Sequence, residues 1–361
     1  MSNRPVWEQD RTPLPALYGH TTADVCVIGL GGSGLTALAE LQSRGVHAIG
    51  LDAGVIAGGA AGRNGGFLLA GLARPHHEVI EALGSGLARR LHQLTLDELD
   101  RMAGSEAVRR VGSLRIEDTE QGLADCALHR DALRADGFAV EDYDGPEGRG
   151  LLFPDDAVMQ PVQRCLSLAA GLTDLYEKSA VRRISTGLVE TDHGRVRCGA
   201  VLVLVDGGLK RLLPEVPVRT VRLQMLATEP WPALTERAVY LRGGYDYYQQ
   251  LADGRIAIGG CRDVGGIAEE TSEAEPTSLV QQAIERILRE RLGVTAAVTH
   301  RWAASVGYTD DWLPFAGEVQ PRVWAAGGYC GTGNLIGALC GRALADLATG
   351  GTGASYWPLL A

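Results

Sequence analysis

The chain has 361 residues, 45% of them hydrophobic and 22% charged, which is enough to bury a large core divided between two lobes. Its 34 Lys and Arg residues against 44 Asp and Glu residues give a net charge of −10, and no basic cluster interleaves with aromatics, so nucleic acid is not an expected partner. The chain shows no signal-peptide core and no apolar run long enough to cross a bilayer, and its seven scattered cysteines are typical of free thiols. We therefore expect a cytoplasmic protein.

The first informative pattern lies in residues 23–54, where strand, glycine turn, helix and strand succeed one another. Short apolar runs predict buried strands over 24–28 and 46–51, with a helix between them that ends at Gly45. The turn has the Gly-x-Gly-x-x-Gly spacing that brings backbone N–H groups to a pyrophosphate, and the residues assigned to it are Gly29, Gly31, Gly32, Ser33 and Gly34. Asp52 comes after the second strand, where an acid accepts hydrogen bonds from a ribose and repels the extra phosphate of NADP.

A glycine-rich segment, AGGAAGRNGG, occupies residues 57–66. Glycine at half of ten positions is unfavourable in helices and strands, so the segment predicts backbone that lies against a ligand. A long cofactor with a flat ring, FAD, fits this pattern better than NAD. Arg63 and Asn64 are the sizeable polar groups of the segment, and they are either cofactor contacts or ordinary loop residues that cap a helix.

Three stretches, VIGLGGSG, GLDAG and GGAAGRNGGF, together resemble the FAD-dependent amine oxidoreductases of the D-amino-acid oxidase superfamily. The Gly-Arg-Asn-Gly-Gly form is most similar to the gamma-glutamylputrescine oxidase branch, although Ala61 stands where that branch usually has serine. The resemblance implies a two-lobed α/β fold, with a Rossmann-like FAD-binding domain of the glutathione-reductase type and an antiparallel-sheet substrate domain. It places the FAD-binding domain in residues 1–80, 150–218 and 300–361, and the substrate domain in 81–149 and 219–299.

The middle of the chain contains an amphipathic helix over 87–102 and a strand within 111–118. The resemblance implies that 175–185 is a third parallel strand, from which Val181 contacts the adenine through its backbone. The strand that starts near 195 runs into Asp206 and Gly207, where relatives usually carry Ala-x-Gly. We assign Gly207 to the cofactor and expect no site role for Asp206. Residues 219–300 contribute alternating strands and an amphipathic helix to the substrate domain.

The second strong pattern lies near the carboxyl terminus, where a buried strand over 323–328 is followed by a Gly-Thr-Gly turn and an apolar helix. In the family such a helix points its amino terminus at the pyrimidine end of the flavin, where N–H groups stabilise negative charge on the reduced ring. The full set of cofactor residues predicted from both patterns and the resemblance adds Ala53, Gly62, Arg63, Asn64, Gly65, Gly66, Gly328, Gly331, Thr332, Gly333, Asn334 and Leu335 to those already named.

The resemblance also implies the chemistry. A neutral amine transfers hydride from its α-carbon to flavin N5, the imine is hydrolysed, and O2 re-oxidises the flavin to give H2O2, with the cofactor supplying the chemistry and the protein the positioning. We assign Tyr247 by its distance from the Asp-Gly-Arg turn as a catalytic residue, with Arg63 and Asn64. The predicted substrate contacts are Tyr245, Tyr247, Trp302 and Tyr329.

Amino-acid oxidases of the family place a cation just inside the last glycine turn to bind the substrate carboxylate, but here Asn334-Leu335-Ile336 occupies that place. We therefore favour a small amine over an α-amino acid, with Arg63 or Arg242 as remaining candidate clamps. An amino-acid oxidase and a non-catalytic flavin-binding subunit remain alternatives. The position of the covalent-flavin cysteine of sarcosine oxidases corresponds to Ala303, so the FAD is expected to be non-covalent. His76 and His77 are expected at a surface helix start, and no metal site is predicted.

Overall fold

A computed structural model describes residues 3–360 of the chain. The strands are β1 (Gly19–Ile28), β2 (Ala48–Leu51), β3 (Phe67–Leu68), β4 (Val108–Arg110), β5 (Ser113–Ile116), β6 (Glu141–Gly145), β7 (Gly148–Phe153), β8 (Ala157–Met159), β9 (Leu175–Tyr176), β10 (Val181–Ser185), β11 (Leu188–Thr191), β12 (Gly194–Val203), β13 (Arg219–Pro230), β14 (Ala238–Leu241), β15 (Asp246–Gln250), β16 (Arg255–Gly259), β17 (Val298–Tyr308), β18 (Phe315–Gln320) and β19 (Val323–Gly327). The α-helices are α1 (Gly32–Ser43), α2 (His76–Leu83), α3 (Ser85–Ala103), α4 (Glu120–Ala135), α5 (Pro161–Ala169), α6 (Leu209–Leu212), α7 (Arg262–Gly265), α8 (Ser278–Arg286) and α9 (Ile336–Ala348).

The chain divides into two compact units. The first unit contains the residues up to Glu8 together with Asn64–Gln160 and Arg222–Ala304, and the second contains Gln9–Arg63, Pro161–Val221 and Ser305–Ala361. Residues 64–80 and 150–160, which the sequence placed in the FAD-binding domain, therefore belong to the first unit, because β8 pairs with both β3 and β4. The assignment of the units to cofactor and substrate stays a prediction.

The second unit is built on a mainly parallel sheet. Strands β19, β12, β1, β2 and β9 are neighbours in that order and run parallel, and β18 adds an antiparallel edge beside β19. The central strands β1 and β12 are apolar on both faces where they are buried, with Cys26, Val27, Val201 and Leu202 fully inaccessible. This is the mainly parallel sheet of a Rossmann-like domain, as the Gly-x-Gly-x-x-Gly pattern predicted.

The first unit contains a second large sheet in the order β17-β13-β16-β15-β14-β5-β7-β6. One face of it packs beneath α8 through Leu226, Val239, Tyr248 and Ile258, together with Val280 and Ile284 of the helix. The predicted antiparallel sheet of residues 219–300 is thus extended by β5, β6 and β7 from earlier in the chain, and the β5–β14 pair is parallel.

Two predicted elements differ in the structure. Residues 175–185 do not form one parallel strand: β9 pairs with β2, whereas β10 pairs antiparallel with β11, because Lys178 turns with a φ of 48° and its N–H bonds to the Gly54 carbonyl. The last helix begins at Ile336 rather than at the Gly-Thr-Gly turn, because Thr332 donates from both its backbone N–H and its hydroxyl to the Tyr329 carbonyl and closes a separate turn. Among residues 3–360, no helix combines the length and the apolar character that crossing a membrane requires.

Candidate functional site

The carboxyl ends of four parallel strands carry the predicted cofactor residues of the second unit. Gly29 follows β1, Asp52 follows β2, Gly207 comes shortly after β12, and Gly328 follows β19. These strands are neighbours in the sheet, so all four ends meet at one edge. In open α/β sheets this edge is where ligands bind.

The first glycine turn has the geometry that its spacing predicted. Gly29 has a φ of 105°, and a Cβ there would collide with the Leu204 carbonyl oxygen. A Cβ at Gly34 would collide with the Gly29 carbonyl oxygen, so that glycine permits the close approach of helix and turn. A Cβ at Gly32 would meet nothing within 4 Å. The backbone of Gly32 is therefore open to a ligand at the amino terminus of α1.

The Asp52 carboxylate accepts hydrogen bonds from the first glycine turn and from its own loop. Its Oδ2 accepts the Leu30 N–H and its Oδ1 accepts the Gly54 N–H, each at 2.8 Å. Burial raises the pKa of Asp52, and the two amide hydrogen bonds act against that rise. Ala53 beside it is exposed. The carboxylate thus shapes the glycine turn from the neighbouring strand, a role in addition to the ribose contact that the sequence predicted.

The second glycine turn is longer and has more left-handed backbone. Gly328, Cys330 and Gly331 have φ values of 72°, 50° and 90°. Gly331 is exposed, and Thr332, Gly333 and Asn334 are half-buried, whereas Leu335 is fully packed. The open backbone of the turn therefore lies at residues 331–334.

The helices after the two turns pack directly against each other. A Cβ at Gly337 would collide with the Ser33 hydroxyl, and one at Gly341 with the Ser33 carbonyl oxygen. The Tyr329 ring fills the space beside Gly333 and Gly337, and burial raises its pKa well above the ordinary value. The two helix starts thus converge, as the sequence interpretation required.

Asp206, for which the sequence predicted no site role, is hydrogen-bonded to the second glycine turn. Its Oδ2 accepts the Gly307 N–H at 2.9 Å, and its Oδ1 accepts the N–H groups of Gly328 at 2.9 Å and Tyr329 at 3.3 Å. A signal was present in the sequence, since an acid stands where the resemblance implied a small residue.

Packing inside the protein accounts for part of the glycine-rich segment. In the second unit, a Cβ at Gly62 would collide with the Ala57 carbonyl oxygen, so this glycine is needed by its own loop. Arg63 donates from Nε to the Gly58 carbonyl at 3.0 Å. Gly59 has nothing within 4 Å of its Cβ position and is exposed. Gly59 is therefore a glycine of this segment that has room for a ligand.

The remainder of the segment lies in the first unit. Asn64 Oδ1 accepts the Gly66 N–H at 2.8 Å, and the Trp7 indole N–H donates to the Asn64 carbonyl at 2.8 Å. A Cβ at Gly65 would lie 3.2 Å from the Tyr247 ring, and one at Gly66 would collide with the Met159 carbonyl oxygen. The Asn64 side chain thus closes a turn of its own loop and does not cap a helix with this hydrogen bond, and Trp7 was not found from the sequence.

Tyr247 lies on the sheet face of the first unit opposite to α8. A row of register partners crosses the sheet from Arg115 through Tyr240, Tyr247 and Gly259 to Met225. A Cβ at Gly259 would lie 2.7 Å from the Tyr247 ring and 2.6 Å from Met225, so the glycine makes the space in which the ring lies. Tyr240, which the sequence interpretation missed, therefore shares a face with Tyr247.

Phe67 completes an aromatic cluster with these two tyrosines. Its ring centroid lies 5.3 Å from that of Tyr240 and 6.0 Å from that of Tyr247, and the tyrosine rings are 5.9 Å apart, all edge to face. Both tyrosines keep part of their surface accessible. Edge-to-face rings present polarised faces that attract cationic and apolar groups.

The other predicted substrate contacts are placed differently. Trp302 is fully buried and Tyr329 is 4% exposed. Their burial gives no support to the prediction that these two side chains contact the substrate. Tyr245 is exposed, with the guanidinium groups of Arg242 and Arg262 each 5.9 Å from its ring centroid.

Arg242, one of the two candidate clamps, is already bound to two carboxylates. It contacts Asp246 through Nε at 2.5 Å and Asp263 through Nη1 at 2.9 Å. Asp246 is buried and also accepts the Cys261 N–H. Since its donors are directed at these two acids, Arg242 is not arranged to receive a substrate carboxylate.

Two further predictions can be placed. Val181 is buried at the start of β10, and a Cβ at Gly207 would lie 2.6 Å from the Ser305 carbonyl oxygen, so packing requires that glycine. In the second turn, the Cys330 thiol is buried and lies 3.5 Å from the Thr309 hydroxyl and 3.3 Å from the Gly328 carbonyl.

The histidine pair at the start of α2 departs from its surface prediction. His76 is buried and lies 2.7 Å from Asp136, because α4 covers this end of the helix. The side chains of His77, Glu78 and Asp125 place possible ligand atoms within 4.8 Å of one another. Arginines already pair with both acids: Arg74 with Glu78 at 2.6 Å and Arg115 with Asp125 at 2.6 Å. This cluster is explained by its ion pairs.

The second unit fits a dinucleotide with a flavin ring. It offers open glycine backbone at Gly32, Gly59 and Gly331, a helix amino terminus after each of two turns, and a carboxylate beside the first turn. Backbone N–H groups at a helix amino terminus suit a pyrophosphate. Backbone N–H groups of the second turn suit the negative charge of a reduced flavin ring.

Comparison with known proteins agrees with this geometry. The profile of the family described as FAD dependent oxidoreductase (DAO) matches residues 24–347. The gamma-glutamylputrescine oxidoreductase of Escherichia coli is 27% identical over 94% of this chain and 86% of its own, and a probable oxidoreductase of Haemophilus influenzae is 24% identical over 93% and 85%. The fold of glycine oxidase from Geobacillus kaustophilus superposes with a TM-score of 0.74 at 20% identity, covering 92% of this chain and 95% of that one.

Proposed function

Because the chain belongs to the DAO family of FAD-dependent oxidoreductases, we propose that it oxidises a C–N bond of a small primary or secondary amine. The proposal assigns the second unit to FAD, bound without a covalent link, and the first unit to the substrate. The relative from Escherichia coli is named for a putrescine derivative, which supports an amine as the substrate class. Molecular oxygen is the proposed acceptor, with H2O2 as the product.

The aromatic face of the first unit carries the amine proposal. Tyr240 and Tyr247 present accessible ring surface beside Phe67. The nearest cation in the register row, Arg115, is bound to Asp125 and Glu117. Aromatic faces attract an ammonium group and pack against a carbon chain, whereas an α-carboxylate requires a donor pair of the kind that Arg242 gives to Asp246 and Asp263.

The protein's own groups act on the substrate by position. Bound FAD supplies the hydride acceptor. Tyr247 lies between Gly65 and Gly259, which set the plane of its ring, and we propose that this ring orients the amine. The exposed backbone of Gly331 in the second turn would stabilise negative charge that develops on the cofactor. Asn64 and Arg63 set the shape of the glycine-rich loop through Gly66 and Gly58.

Anaerobic reduction of the yellow holoenzyme tests this function. Putrescine and ornithine form a matched pair, because they differ only in the α-carboxylate, and pentylamine and norleucine form a second pair. We expect bleaching of the flavin absorbance by the amine of each pair and at least tenfold slower bleaching by the amino acid. Faster bleaching by the amino acids would support an amino-acid oxidase, and no bleaching by any member would support a non-catalytic flavoprotein.

Tyr247 is tested against its neighbour Tyr248, which lies on the opposite face of β15 and is fully buried. We expect Tyr247→Ala to raise the KM for the amine at least tenfold, because it removes the ring that orients the substrate. Tyr247→Phe retains the ring, so its KM should stay close to that of the original protein. Tyr248→Phe, the matched control, should leave the KM unchanged. An unchanged KM in Tyr247→Ala would contradict the assignment.

A further inference from the structure

Asp206 stands just beyond the end of β12 in an unusual backbone conformation. Its φ is 43°, a region that non-glycine residues rarely adopt and that Asp tolerates better than most. The residue is partly exposed, yet its carboxylate is withdrawn from water, and this burial raises its pKa against the opposing effect of four backbone N–H groups. Strained backbone and a buried charge at one position both cost stability, so the arrangement needs a compensating role.

That compensation comes from hydrogen bonds to two separate segments. The carboxylate binds Gly307 through Oδ2, and it binds both Gly328 and Tyr329 through Oδ1. Gly307 lies near the end of β17, and the other two begin the second glycine turn. One side chain therefore joins the turn to the neighbouring part of the sheet edge, and its charge makes these hydrogen bonds stronger than neutral ones.

The glycines around Asp206 are a second, independent indication. A Cβ at Gly307 would lie 2.5 Å from Asp206 Oδ1, and one at Gly327 would lie 3.0 Å from the Asp206 Cα. Gly328 has a φ of 72°, and a Cβ there would lie 2.8 Å from Thr309. The absence of side chains at Gly307 and Gly327 thus makes the space that Asp206 occupies.

We propose that Asp206 is the positioning residue that sets the second glycine turn for FAD, the counterpart at β12 of Asp52 at β2. The proposal rests on FAD binding by the second unit and is independent of the identity of the amine. The carboxylate does not touch the reacting atoms; it holds the N–H groups of Gly328 and Tyr329, and so fixes where the open backbone at 331–334 points.

Asp206→Asn is the most informative variant, since Asn has almost the same shape and also tolerates a positive φ. It replaces one acceptor oxygen with an NH2 group, so that at least one of the three backbone N–H groups faces a donor. Asp206→Ala removes both acceptors. Asp192→Asn, at the exposed amino-terminal side of β12 where Asp192 pairs with Arg182, is the control.

The test measures FAD binding by the apoprotein, using quenching of flavin fluorescence, the visible circular dichroism of the bound flavin, and the unfolding midpoint with and without FAD. We expect Asp206→Asn to weaken FAD binding at least tenfold and to change the visible circular dichroism, and Asp206→Ala to weaken binding further, while Asp192→Asn behaves as the unchanged protein. If Asp206→Ala does not fold, the Asn variant decides.

Two results would overturn the proposal. One is unchanged FAD affinity and an unchanged flavin spectrum in Asp206→Asn. The other is a variant whose apoprotein unfolds at a lower midpoint, but whose midpoint FAD raises by as much as in the original protein. That result would show that Asp206 contributes to folding alone. Both results are read without an amine, so they are distinct from a failure of the proposed amine oxidation.

Discussion

The two glycine turns of the second unit share one arrangement of glycine and carboxylate, but they differ in length. Each starts with a left-handed glycine after a parallel strand, Gly29 after β1 and Gly328 after β19. In each, a carboxylate from the end of the neighbouring strand accepts N–H groups beside that glycine: Asp52 bonds to Leu30, and Asp206 bonds to Gly328. The neighbouring strand, and not the turn itself, therefore contributes the acid.

The two turns differ in the residues between this first glycine and the helix. The helix of the first turn starts at Gly32, so its free N–H groups come directly after the strand. The second turn inserts a closed loop, with Thr332 bonded to Tyr329, before its helix starts at Ile336. A short turn gives a compact anion site at a helix end, whereas a longer turn presents its own backbone to a wider group.

The largest expected effect is on the free energy of unfolding, and it differs between two glycines of the first turn. Gly34→Ala places a methyl group against the Gly29 carbonyl oxygen, and we expect a loss of about 3 kcal/mol or more in the free energy of unfolding. Gly32→Ala meets open space and should change the free energy of unfolding by less than about 1 kcal/mol, yet weaken FAD binding. Urea unfolding of the apoprotein and FAD titration measure the two effects. Equal stability of both variants would contradict the packing argument.

Another buried carboxyl group, Asp156 of the first unit, shows how burial of such a group affects stability. Asp156 accepts the Ala70 N–H at 2.9 Å and the Ser113 hydroxyl at 2.6 Å, and burial raises its pKa to about 7. The folded protein therefore holds a proton that the unfolded chain releases near pH 4. Stability from this group is present at low pH and is lost as the pH rises from about 4 to about 7.

Asp156→Asn should remove that pH dependence. The free energy of unfolding of the original protein, measured by urea at several pH values, should fall by at most about 4 kcal/mol across this window relative to the variant. Since other groups titrate equally in both proteins, their difference isolates Asp156. A difference that stays constant with pH would show that the carboxyl group is ionised in the folded protein throughout.

The smallest expected effect compares the two turn acids directly. Asp52→Asn replaces one of two acceptors, whereas Asp206 serves three N–H groups. We expect Asp52→Asn to weaken FAD binding about tenfold, which is about 1.4 kcal/mol, and by no more than Asp206→Asn does. The same fluorescence titration measures both. A much larger loss in Asp52→Asn would show that the ribose contact outweighs the loop contacts.

The first turn could be predicted from the sequence because its parts are close along the chain. Strand, turn, helix and Asp52 all lie within residues 23–54, and each part constrains the next. The presence of a mainly parallel sheet and a second sheet, and the convergence of two helix starts, were predicted from the same pattern together with the resemblance. Tyr247, predicted from its distance to a turn, lies on β15 with part of its surface accessible.

The missed residues depend on partners that are remote in sequence. Asp206 bonds to residues near 307 and 328, and Trp7 bonds to Asn64 across the first unit. Tyr240 alternates as Tyr247 does, but alternation does not reveal which face stays open. The burial of Tyr329 and Trp302 was not predicted, because an aromatic residue beside a turn has the same sequence pattern whether it packs inward or outward.

The contact of α1 with Gly337 and Gly341 of α9 has a consequence for synthesis of the protein on the ribosome. The strand before α1 also pairs with β12, in the register of Val25 with Ala200. A nascent chain therefore emerges with its first nucleotide-binding turn complete in sequence but uncovered until the last helix has left the exit tunnel. Because these long-range contacts form late, the apolar surface of the early segments stays exposed for most of translation. We expect chaperones to bind these segments during synthesis.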